Sequence, residues 1–370
     1  MGAQRLFLPP PSSVGISHEG TIVTNTQTYM EKEILEGPQV LRKFMATQWN
    51  SLIKAAEAIQ ERKPRFVILA ARGTSDNACT YGRYLIEKEW GVPVSLAAPS
   101  VKTLYGAKID YRGGLVLGVS QSGMGPDVCD MIATARSQGA LTIGLHNNSK
   151  SRLAKEAEFT LNLSAGLEKS VAATKTFTAE LMALYSFIQC VTQGRKVRTE
   201  LNRLPRLTEE GCRLSQPIWE SSYRFLHMSS CVVVGRGFHY GLVQETALKL
   251  KECAQVMAHA YSTADFHHGP KTLAGKDFPV ILIAPPGPTL KGSMELLDEL
   301  SERNAFIVAF SPVKQILEKA SLAFPTPSGP EEVDPMGMAP MVQTLALSVA
   351  VAKGLDPDKP PYLKKVTQTK

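Results

Sequence analysis

Apolar residues along this chain gather into short runs that end in glycine. Phe66–Gly73 and Cys231–Gly237 each read as a buried strand running into a glycine turn. Leu115–Gly123 and Pro279–Gly287 form a second such pair, and Leu141–Leu145 and Ala305–Ala309 a third. The closing glycines lie 237 − 73 = 164 and 287 − 123 = 164 residues apart, and the third pair keeps the same offset. That period far exceeds the roughly 20–50 residues of solenoid repeats, so the pattern predicts two tandem copies of one unit. Helix-like segments stand between the strands, at 77–89 and 128–138 in the first copy and at 242–256 and 294–303 in the second. Strands alternating with helices predict an α/β fold, a parallel sheet with helices on both faces in each copy. Met30–Ile59 predicts a helix interrupted near Gly37 and Pro38. A helical link is expected over 200–216, and Met341–Ala352 reads as a core helix.

Length and composition narrow the class. The chain has 370 residues, enough for two or three domains. Hydrophobic residues make up 44% and charged residues 20%, which excludes a disordered chain. No run approaches the roughly 18 consecutive apolar residues of a membrane helix, so no membrane partner is expected. The N-terminus lacks the sustained apolar core of a secretory signal. The six cysteines form no C-x-x-C pair, which argues against a disulfide framework or a zinc ribbon. The expected protein is soluble and cytoplasmic, with reduced thiols. The net charge of +7 favours anionic small molecules. A nucleic-acid partner is not expected, because the densest basic run, Glu61–Arg65, carries its own acid and a proline.

Ligands of parallel sheets bind beyond the carboxyl ends of the strands, so the residues after each strand are the place to look for chemistry. Arg72–Ser75 offers helix-terminal amides and two hydroxyls; it reads equally as an anion site or as a simple helix cap. Ser120–Gly123 closes the next strand with three polar side chains and a glycine. The two clusters should converge above adjacent strands and form a phosphate site. Their counterparts at Gly237–His239 and Ala284–Gly287 lack these hydroxyls. Glu245, Lys249 and Glu252 share one helix face at i, i+4 and i+7, a spacing that by itself predicts a surface ion pair. His267 and His268 sit in a loop and suit acid–base chemistry better than zinc. Lys364 and Lys365, after a proline-rich approach, read by composition as a frayed basic tail.

Taken in order, these segments resemble the sugar isomerase (SIS) domain family. They are Met30–Ile34, Arg72–Ser75, Ser120–Gly123, Val171–Phe177, Glu245–Glu252, Ala260–Pro270 and Leu363–Lys365. The resemblance is closest to the isomerase half of glutamine:fructose-6-phosphate amidotransferase and its stand-alone relatives. It implies two tandem flavodoxin-like domains. The expected boundaries are 1–45 for an N-terminal segment and helix, 46–195 for a first domain with the phosphate site, 196–355 for a second domain with the catalytic Glu and His, and 356–370 for a C-terminal tail.

The resemblance also implies roles. Ser75, Ser120, Gln121 and Ser122 match phosphate ligands, and Thr74 with the loop from Val171 to Ala173 matches sugar contacts. Glu252 matches a general base moving a proton between C1 and C2. His268 matches a ring-opening histidine that acts in the partner subunit's site, so a homodimer is expected. Lys365 matches a lysine that engages the open-chain sugar. Two positions depart from the family pattern. Met124 and Gly125 replace an acidic residue and a threonine, leaving the Gly125 amide as a substitute donor, and Ala173 replaces a serine. No glutaminase counterpart is recognised, so the ammonia-releasing direction is expected: glucosamine 6-phosphate and water giving fructose 6-phosphate and ammonia, with no cofactor or metal. The alternatives are a fructosamine-6-phosphate deglycase and a non-catalytic sugar-phosphate-binding regulator.

Overall fold

The computed structural model describes residues 27–365, together with a two-residue antiparallel ladder of Gly15–Ile16 against Ile22–Val23. The rest of 1–26 and residues 366–370 lie outside the described residues, and with them part of the expected N-terminal segment and the end of the tail. Two five-stranded parallel sheets form the framework. The first holds Val67–Ala70, Val94–Leu96, Leu115–Ser120, Leu141–His146 and Phe159–Asn162; the second holds Ser230–Gly235, Met257–Ser262, Pro279–Ile283, Phe306–Ser311 and Leu322–Pro325. Counted in chain order within each sheet, the strands of both lie 2-1-3-4-5, the flavodoxin-like arrangement. Adding 164 to the first sheet's starting residues gives 231, 258, 279, 305 and 323; the second sheet's strands start at 230, 257, 279, 306 and 322. The repeat read from three strand pairs therefore extends to all five. The three central strands of each sheet are rich in Val, Ile and Leu because helices cover both faces of a parallel sheet, while the edge strands are partly exposed.

The helix expected to break near Gly37 and Pro38 does not break. It runs from Tyr29 to Arg62 with Pro38 inside it. Pro38 has no N–H for the Ile34 carbonyl four residues back, and an unpaired carbonyl in the core is costly. The Cys212 thiol donates to that carbonyl at 3.8 Å. The helix Asp334–Ala352 repeats the device: Pro340 frees the Met336 carbonyl, and the Thr208 hydroxyl donates to it at 3.0 Å. Both donors belong to Pro205–Leu214, a helix in the expected link between the copies. Gly211 lets that helix approach, since a Cβ there would stand 1.8 Å from the Gly337 carbonyl oxygen. The link thus stitches two proline-bearing helices together instead of merely connecting domains.

Asp334–Ala352 is long and apolar enough to cross a membrane, which the composition reading did not anticipate. Of its apolar window, 89% is buried inside the fold, packed on Tyr29–Arg62, Lys175–Gln193 and Tyr240–Ala254. It is the core helix that Met341–Ala352 predicts. All six cysteines are buried and unpaired.

Candidate active site

A cavity of about 310 Å³ opens where the strand order of the first sheet reverses, beyond Val67–Ala70 and Leu115–Ser120. Its floor comes from two turns. After the first strand, Gly73 takes φ +56° and starts the helix Thr74–Leu85, whose first amides have no intrahelical partner. After the third, Gly123 takes φ +63°, and a Cβ there would come within 2.3 Å of the Ser151 hydroxyl, so only glycine lets the turn close. The oxygens of Ser120 and Ser122 accept the Gly123 and Met124 amides at 3.1 and 3.3 Å. Both serines act as acceptors in these bonds, which leaves their hydroxyl hydrogens for the cavity. Gly125 begins the next helix, Pro126–Ser137, at the same rim. Arg72, which the sequence reading did not single out as a ligand, also lines the cavity. Its Nε donates to the buried Asp127 carboxylate at 2.7 Å, which fixes the guanidinium as a cation beside these donors.

The second copy supplies the opposite chemistry through the helix Tyr240–Ala254. Glu245 is fully buried and accepts from the Thr74 hydroxyl at 3.1 Å and the Asn77 amide at 2.7 Å; burial pushes its pKa up. Lys249 is 1% exposed, 3.5 Å from Glu245 and in contact with Glu252. Burial works to lower the Lys249 pKa, but the two carboxylates outweigh it and hold it above its ordinary value. The expected surface ion pair is therefore a buried pair, Glu245 and Lys249, that extends to Glu252 at the cavity. Helical spacing could not reveal this, because the groups that bury it come from Thr74 and Asn77 of the other copy. Glu252 reaches the cavity, its side chain 24% exposed.

A loop and the chain's tail close the remaining wall. The Glu33 carboxylate accepts the amides of Lys169 and Ser170 and so fixes the loop that carries Val171 and Ala173. Glu168 in this loop is buried and accepts from the amides of Thr174 and Thr176 and from the Thr176 hydroxyl. Lys365 donates to Glu168 Oε2 and to the Ser170 carbonyl, both at 2.7 Å. Upstream, Asp358 accepts the amides of Tyr29 and Met30 at 2.7 and 2.8 Å, and its carbonyl accepts the Val171 amide at 3.3 Å. The tail up to Lys365 is tied down and is not a frayed end. Lys364 is exposed but also borders the cavity.

Every candidate residue except His268 lines this one cavity: Thr74, Ser75, Ser120, Gln121, Ser122, Gly125, Val171, Ala173, Glu252 and Lys365. His268 is exposed, on the turn after Thr263–His267, and does not line this cavity. The side chains that the sequence reading did not assign to the site are Arg72, Asp127, Glu168, Lys249 and Glu180. Arg72 was legible only as part of the Arg72–Ser75 turn and Lys249 only as part of a helix face; Glu180 left a signal of its own, as the one acid in the mostly apolar run Phe177–Val191. It is 1% exposed, shares a 2.7 Å hydrogen bond with the Ser75 hydroxyl, and is pushed up to about 8 by burial.

The matching crevice in the second copy is already filled. The Glu331 carboxylate lies between the two glycine turns, where a Cβ on Gly237 or Gly287 would meet it at 3.2 or 2.9 Å. Thr289 donates to it at 3.4 Å. A carboxylate thus sits where the first copy leaves open space.

The SIS domain profile matches residues 62–189 and 225–353. The chain belongs to the SIS domain family. Each SIS domain of the chain contains one of the two sheets. A glutamine–fructose-6-phosphate aminotransferase (isomerizing) of Pyrococcus horikoshii is 31% identical over 345 residues, covering 91% of this chain. The chain spans 57% of that relative's length. A Silicibacter pomeroyi DSS-3 protein assigned as a candidate phosphosugar isomerase is 31% identical, with a TM-score of 0.82 over 90% of this chain and 100% of that one. A glucosamine-6-phosphate deaminase of Thermotoga maritima has a TM-score of 0.71, covering 92% of this chain and 100% of that one, and at 22% identity shares the SIS fold.

Proposed function

We propose that this SIS protein is an aldose–ketose isomerase and deaminase that converts glucosamine 6-phosphate and water to fructose 6-phosphate and ammonia. The observation that carries the reading is one cavity lined both by hydroxyl and amide donors suited to a phosphate and by a carboxylate and an amine suited to isomerisation. The similarity to the isomerizing aminotransferase supports the substrate class. In the proposed sequence the pyranose opens with help from His268 of a second subunit. Glu252 takes the C2 proton of the open-chain aldehyde, giving an enolamine, and returns it to C1. The product is a C2 imine, to which water adds and from which ammonia leaves. In water that hydrolysis is the downhill direction unless ammonia is delivered to the site. Lys365 stabilises the developing charge or exchanges with the imine. The test is amine release, read as ammonia from a panel of hexosamine 6-phosphates and as free amino acid from fructosamine 6-phosphates. Amino acid release from the fructosamine esters alone would make the protein a deglycase, and no release of either amine would remove the catalytic reading.

Ser122 contacts a non-reacting group in this scheme. Ser122→Ala is expected to raise KM more than it lowers kcat in steady-state assays; a pure kcat loss would place the phosphate elsewhere.

The exposed position of His268 supports a homodimer with shared sites. Two inactive variants, Glu252→Gln and His268→Ala, are expected to recover activity when co-refolded. Only the mixed dimer carries one complete site, so recovery should approach roughly a quarter of the wild-type value. Mixed dimers that form and stay inactive would mean that each site is built within one chain.

A further inference from the structure

The Ser75 hydroxyl has one hydrogen to give. It lies at the first turn of Thr74–Leu85, in the cavity wall, and is 6% exposed. Its one side-chain partner among the described residues is Glu180 Oε1 at 2.7 Å. Glu180 also lines the cavity, and its second oxygen, Oε2, is buried with no partner among the described residues. A carboxylate in this position consumes the Ser75 hydrogen and sets a negative charge beside the phosphate donors. A neutral carboxyl does the reverse: it donates to Ser75 Oγ and releases the serine hydrogen to the cavity.

We propose that Glu180 is a positioning residue for the phosphate, which in its neutral form turns the Ser75 hydroxyl toward the substrate and in its anionic form withdraws that donor. This rests on the phosphate-site reading above. The surroundings favour the neutral form. Burial is the largest influence on Glu180 and outweighs the Ser75 hydrogen bond, which favours the carboxylate; the charges of Glu245 and Glu168 add to burial, and Lys249 opposes it. Cys79 faces it from Thr74–Leu85, Glu252 stands beyond Lys249, and Arg72 and Lys365 border the same cavity. With its pKa at about 8, Glu180 is mostly neutral at pH 7 and ionised at pH 9. A phosphate monoester is a dianion throughout that range, because its second pKa lies near 6. Binding such a dianion favours the neutral carboxyl, so above pH 8 binding takes up a proton.

The probe is methyl phosphate, which carries the dianion without the sugar or its titrating amine. Its Kd for the intact protein, measured by calorimetry, is expected to weaken roughly tenfold between pH 7 and pH 9. At pH 9 the heat should vary with buffer ionisation enthalpy in proportion to nearly one proton taken up. Glu180→Gln carries a permanent amide donor toward Ser75; its Kd should match the wild type at pH 7 and stay flat to pH 9. A flat wild-type profile without proton uptake overturns the relay, as does a Glu180→Gln profile that still weakens with pH. Methyl phosphate that binds neither protein at any pH overturns the phosphate site itself, and the relay with it.

Discussion

Glu252→Gln is expected to lower ammonia release from glucosamine 6-phosphate by about 10²–10⁴-fold, the range of losing one acid–base group. Glutamine keeps the shape of the side chain and can still meet Lys249, but it cannot accept the C2 proton. Lys249 retains Glu245 at 3.5 Å, so the buried cation keeps a charged partner and the fold should hold. The direct check is the fate of the C2 hydrogen: with substrate deuterated at C2 the wild-type protein should deliver deuterium to C1 of the product or exchange it into solvent, and the variant should do neither. A variant that turns over and exchanges normally would remove Glu252 from the mechanism.

Lys365→Ala should cut turnover by about 10²-fold. The structure adds a second consequence that composition could not suggest. Lys365 is the charged partner of Glu168, a carboxylate with a side-chain exposure of 0%. Removing the amine leaves that carboxylate with the donors of Thr174 and Thr176 alone, at a cost of roughly 1–3 kcal/mol. Turnover and stability therefore fall together in the alanine variant. Lys365→Arg separates them, since it keeps the charge for Glu168 but cannot form an imine. It should melt like the wild type and remain slow. Lys364→Ala should be mild, because its exposed side chain has no such partner among the described residues. An arginine variant as fast as the wild type would exclude imine exchange. If Lys365→Ala and Lys364→Ala are both harmless at saturating substrate, the tail has no catalytic part.

The framework was legible through the three central strands of each sheet, which are buried on both faces and rich in Val, Ile and Leu. The 164-residue offset doubled the evidence for those three, while the partly exposed edge strands left no such run. The two turns of the cavity floor were legible for a related reason: a glycine and hydroxyls after such a strand stand out from the apolar run. What could not be read were features set by distant neighbours. Pro38 looked like a break because its rescue lies in Cys212, far along the chain. Glu245 and Lys249 looked like surface residues because Thr74 and Asn77 bury them from the other copy. Lys365 looked frayed because Glu168, Ser170 and the Asp358 clasp hold the tail through contacts of high sequence separation.

In the proposed mechanism that clasp makes the Lys365 amine a tethered reagent. Asp358 is fixed to the amides of Tyr29 and Met30, and 365 − 358 = 7 residues separate it from Lys365. A flexible span of that length reaches about 15 Å. Even when Lys365 leaves Glu168, its amine stays near the cavity at an effective concentration in the millimolar range or above. A free amine from solution would have to match that concentration to stand in for it. A cut between Asp358 and Lys365 would dilute the amine to the concentration of the protein itself.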